Sequence, residues 1–74
     1  MAKPDSDDFP TWKTPEDEPV SCIEKIKVLN ENLAELRALA QDALEDAVLM
    51  GVDEQQVREV LARIVAGLVN PYRQ

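Results

Sequence analysis

SCIEKIKVLNENLAELRALAQDALEDAVLM, residues 21–50, is the stretch whose reading decides the fold. Within it Cys22, Ile26, Leu29, Leu33, Leu36, Ala40, Ala43, Ala47 and Met50 recur at alternating steps of four and three. A helix that returns an apolar residue to one face every 3.5 positions or so builds a seam for another helix, not a substrate pocket. No Gly or Pro interrupts the stretch, and Leu, Ala, Glu and Arg dominate it, all good helix formers. Ser21 and Glu24 form a capping-box pattern at its start, Pro19 blocks an earlier start, and Gly51 supplies a left-handed stop. The expected helix covers about residues 21–50 and is about 43 Å long.

Downstream the chain restarts at once. Asp53 is the natural N-cap, with Gln56 at the third helical position and Glu54 at the positive helix end. Val57, Val60, Leu61, Ile64, Val65, Leu68 and Val69 give this second helix a wide apolar face, and Glu54–Arg58 and Glu59–Arg63 are spaced as ion pairs on its outer side. Pro71 ends it, for an expected span of about 54–69. Gly67 within it reads as a close helix crossing. A connection as short as Gly51-Val52-Asp53 makes the helices antiparallel neighbours. The fold class expected is all-α, an antiparallel helical hairpin with unequal arms over residues 21–70, followed by a short C-terminal tail at 71–74.

Residues 1–20 read differently. They hold four of the five prolines, and Lys3 and Lys13 stand against six acidic residues. Proline pushes such a segment away from helix, and little in it can be buried, so an extended or disordered acidic tail is expected. Phe9 and Trp12 are its two large apolar side chains. They are candidate anchors, either folding back on the chain's own helices or those of a dimer mate, or binding a foreign partner.

The arms are unequal, and this bears on function. The second helix reaches only the later half of the first, where Ala40, Ala43 and Ala47 allow close approach. Cys22, Ile23, Ile26, Leu29, Leu33 and Leu36 are left without a helical partner. Wet exposure of such large side chains forgoes roughly 1.5–3 kcal/mol each. A homodimer in a four-helix arrangement is the simplest cover, with these six residues as its interface. The competing readings are a monomer covered by its own tail and a complex with a different protein.

Composition narrows the chemistry. At 74 residues with one cysteine and no histidine, the chain offers neither an intrachain disulfide nor a plausible all-protein zinc site. The formal charge of −7 and the lack of any Lys/Arg cluster argue against binding nucleic acid or an anionic membrane. No segment resembles a signal peptide or a membrane span, so a cytoplasmic location is expected, and the single cysteine fits a reducing compartment. Cys22 lies in the first turn with Lys25 nearby, but no base or orienting group accompanies it. On the seam it reads as a small buried filler, with an intermolecular disulfide across a parallel pair as the alternative. No enzyme, metal site or cofactor is expected.

Charge placement on the long helix opposes its dipole. Lys25 and Lys27 sit near the positive end, and Asp42, Glu45 and Asp46 near the negative one, at roughly 0.3–1 kcal/mol each unless compensated. Arg58 is the expected compensating partner of Glu45. Glu31, Glu35, Asp42, Glu45 and Asp46 form a possible acidic recognition face. Three functions follow: a homodimeric interaction module serving as accessory subunit or adaptor, with a larger partner met through the tail or the first half of the long helix; an acidic inhibitor or nucleic-acid mimic blocking a basic groove; and a regulatory module holding a small apolar ligand between helices.

Overall fold

The computed structural model describes residues 9–72 and is all-α, with two helices and no strand among the described residues. Helix α1 spans Ile23–Leu49 and helix α2 spans Glu54–Ala66. The chain divides into two compact units that meet at Ala38 and Leu39, and α1 runs from the first into the second.

The N-terminal unit contains a closed loop ahead of α1. In place of an unbroken extended segment, Thr14 accepts from the Asp17 N–H at 2.9 Å, donates its own N–H to Glu18 at 2.8 Å, and offers its hydroxyl to the Glu18 N–H at 3.2 Å. Pro15 occupies the second position of this turn, where its fixed φ is preset, and Asp17 takes the left-handed conformation that a short polar side chain tolerates (φ 71°). Lys13 and Pro19 pair as an isolated antiparallel bridge, and the Val20 N–H donates to the Trp12 carbonyl at 2.9 Å. Residues 1–8, part of the expected tail, and 73–74, part of the expected C-terminal tail, lie outside the described residues.

Helix α1 opens later than the Ser21 capping box predicts. The Cys22 carbonyl accepts the first helical bond, from the Ile26 N–H at 3.0 Å, which makes Cys22 the capping position.

The C-terminal unit is a helical hairpin built by two opposed caps. At the end of α1 the Val52 N–H reaches the Ala47 carbonyl at 2.9 Å and the Gly51 N–H reaches Val48 at 3.0 Å. With Gly51 at φ 94°, this is the Schellman arrangement. Two residues later Asp53 takes extended backbone angles, and its carboxylate accepts from the Gln56 N–H at 3.0 Å. Glu54 and Arg58 close an exposed ion pair at 2.8 Å. Helix α2 stops at Ala66, three residues short of the expected end at 69. Gly67 is its C-cap, with its N–H bonded to the Arg63 and Ile64 carbonyls. A Cβ there would meet only those carbonyls of its own helix, at 3.3 and 3.7 Å, so Gly67 marks a helix end and not a crossing.

No described residue is fully buried. The half-buried positions of α1 are Ile26, Asn30, Leu33 and Ala34 in the N-terminal unit and Ala40, Leu44 and Ala47 in the C-terminal one. The covered stripe therefore keeps Ile26, Leu33, Ala40 and Ala47 of the expected seam, but replaces Leu29 by Asn30 and Ala43 by Leu44. In α2 the half-buried residues are Val57 and Leu61.

The two caps make separable predictions. Nothing lies within 4 Å of a Cβ added at Gly51, so Gly51→Ala meets only the left-handed backbone penalty, about 1–2 kcal/mol. Asp53→Ala loses the N-cap bond at about 1 kcal/mol. Urea unfolding followed by circular dichroism at 222 nm should show both losses, with Gly51→Asn milder than Gly51→Ala.

Candidate functional site: the uncovered stripe of the long helix

The tail anchors are placed on α1. The Trp12 indole N–H donates to the Asn30 side-chain oxygen at 2.8 Å in a partly buried bond. The Arg37 guanidinium carbon stands 5.2 Å from the centre of the Phe9 ring, within cation–π range. Both rings are half-buried, as is Val20. Asn30 is the residue that sequence reasoning passed over. A polar side chain one position away from an apolar seam reads as solvated, and only the indole N–H, which needs a partner when covered, gives it a role.

The six predicted interface residues divide. Ile26 and Leu33 are half-covered within the N-terminal unit, while Cys22, Ile23, Leu29 and Leu36 are exposed. Cys22 is exposed in the single chain and precedes Ile26, the first half-covered residue of the helix. The exposed residues extend a second stripe beside the covered one. Val28 and Leu36 expose 55% and 50% of their surface, and Leu39 exposes 69%. In the N-terminal unit Lys25, Leu29, Asn32 and Leu36 again alternate steps of four and three. A shallow open groove on its N-terminal part is lined by Cys22, Glu24, Lys25, Val28, Leu29 and Asn32. A second open groove, in the C-terminal unit, is lined by Leu44, Glu45, Val48, Leu49 and Glu54. Neither is an enclosed cavity.

The acidic residues Glu31, Glu35, Asp42, Glu45 and Asp46 are all exposed. Glu45 accepts from the Gln41 amide at 2.9 Å, whereas Arg58, its expected partner, is engaged by Glu54. Among the described residues no three or more His, Cys, Asp or Glu side chains converge as a metal site. No helix among them is long and apolar enough to cross a membrane.

No protein-family model matches the chain, and neither a curated protein nor a solved structure shows significant similarity to it.

The Trp12–Asn30 bond carries a direct test. Trp12 is the single tryptophan, so one indole N–H resonance reports on it. Asn30→Ala removes the acceptor at a cost of about 1 kcal/mol and leaves the ring on the helix without its polar tether. The indole proton should then exchange faster with deuterium and shift towards its position in a free peptide.

Proposed function

We propose that the chain is a small non-catalytic protein–protein interaction module, a homodimeric helical hairpin acting as an accessory subunit or adaptor. One observation carries this reading. In the N-terminal unit Ile26, Asn30 and Leu33 of α1 are half-covered, yet Val28, Leu29 and Leu36 on the same helix remain exposed. Contiguous exposed apolar surface of this kind supports an interaction site. Full burial of each such side chain stabilises by roughly 1.5–3 kcal/mol, so a second helix laid on the stripe gains most there. Support for a non-catalytic role is chemical. The chain has no histidine, and its one cysteine is exposed without a base beside it.

A second reading, an acidic inhibitor that blocks a basic groove, is supported by the exposed acids and the net charge of −7. It calls for association with basic proteins that fades steeply with salt.

Light scattering over a concentration series tests the first. The wild-type chain should move from one to two chain masses as concentration rises. Leu36→Glu should hold it at one. Leu49→Glu, an equally drastic change at a residue 86% exposed and off the stripe, should leave dimerisation intact. A single chain mass at every concentration overturns the homodimer.

A further inference from the structure

We infer that the closed loop ahead of α1 is an autoinhibitory strap, which must lift before α1 can pair with a second helix. Such a strap regulates the same site as the homodimer reading, and its role rests on that reading. Its two rings stand where a partner helix would set its side chains. Trp12 lies against Asn30 through the indole hydrogen bond, and Phe9 lies against the Arg37 guanidinium. Ile26, Asn30, Leu33 and Arg37 follow one another at steps of four, three and four. That is the repeat by which one helix receives another.

Distance agrees with sequence spacing. Residues 10–12 are neither helix nor turn, Pro10 fixes φ, and Phe9 before it is turned away from helical angles. Three residues of extended chain span about 10 Å, and so do the seven residues of helix from Asn30 to Arg37. Rings three apart in the strap therefore land one heptad apart on α1, the interval at which a second helix places its own side chains. Both rings and Asn30 are half-buried, as are Ile26 and Leu33. Ile26 and Leu33 also belong to the seam that runs on through Leu29 and Leu36. A helix docked over Leu29 and Leu36 needs them as well, so strap and partner compete for the same two residues.

The strap can lift without unfolding. Its closing bonds are internal: the Thr14 N–H donates to the Glu18 carbonyl, the Asp17 N–H to Thr14, and the Val20 N–H to Trp12. None of these involves α1, whose first helical bond comes later, from the Ile26 N–H to the Cys22 carbonyl. What is given up on lifting is the indole bond, the cation–π contact and the cover over the two rings. Both chains of a pair have to lift their straps, so the closed fraction enters the apparent association constant twice.

The indole N–H resonance of the full wild-type chain gives the test without any substitution. As light scattering shows the chain passing from one mass to two, that resonance should move towards its free-peptide position. A second arm removes the rings and leaves every residue of α1 in place. Phe9→Ala combined with Trp12→Ala should tighten dimerisation at least about tenfold, with the ellipticity at 222 nm retained. Loss of that ellipticity makes the loop a structural cover of α1 and overturns the strap. A wild-type dimer whose indole resonance stays where it is in the single chain overturns the strap and leaves the homodimer standing. So does a double variant that dimerises no more tightly than wild type. A wild-type chain at one mass throughout, with the double variant at two, overturns the homodimer of the resting chain and sustains the strap. One mass in both removes both.

Discussion

A helix of 27 residues carries more apolar face than a closed loop and a 13-residue helix can cover, and the rest of the structure follows from that shortfall. Helical geometry fixes a periodic stripe, and every large side chain on it must be covered or left wet. The loop ahead of α1 and the hairpin after it each half-cover a few residues. Among the described residues none becomes buried.

The ends of the elements were the most legible part of the sequence. Gly51 and Asp53 are each nearly sufficient to specify their local geometry, because a left-handed stop wants glycine and an N-cap wants a short acceptor. Both act as their identities suggest. Local signals failed where two competed. Ser21 with Glu24 satisfies a capping pattern, yet the helix begins one residue further on. Gly67 was legible as a weak point in a helix but not as its terminus, since Leu68 and Val69 continue the apolar pattern beyond it.

Which of two adjacent heptads is covered could not be read from residue types. The stripe through Leu29, Leu36 and Ala43 and the stripe through Asn30, Arg37 and Leu44 differ by a rotation of one residue and share Ile26, Leu33, Ala40 and Ala47. By hydrophobicity the first is the better seam. The covered one contains Asn30 because Trp12 brings a hydrogen-bond donor along with its ring. Tertiary context thus overrides the apolar count, and Leu29, Leu36 and Ala43 stay exposed. Whether a copy of the chain or a stranger meets the exposed face was not legible at all, since nothing in an apolar helical face distinguishes the two.

Placing the single tryptophan in the N-terminal unit also divides what two common optical probes can see. Intrinsic fluorescence excited at the indole band senses the surroundings of Trp12 alone, whereas far-ultraviolet ellipticity is summed over α1 and α2. Heat or denaturant that loosens the loop before the hairpin will move the first signal ahead of the second. Coincident curves require the whole chain to melt as one cooperative unit. The position of one aromatic ring thereby gives this small chain a built-in measure of how tightly its two halves are coupled.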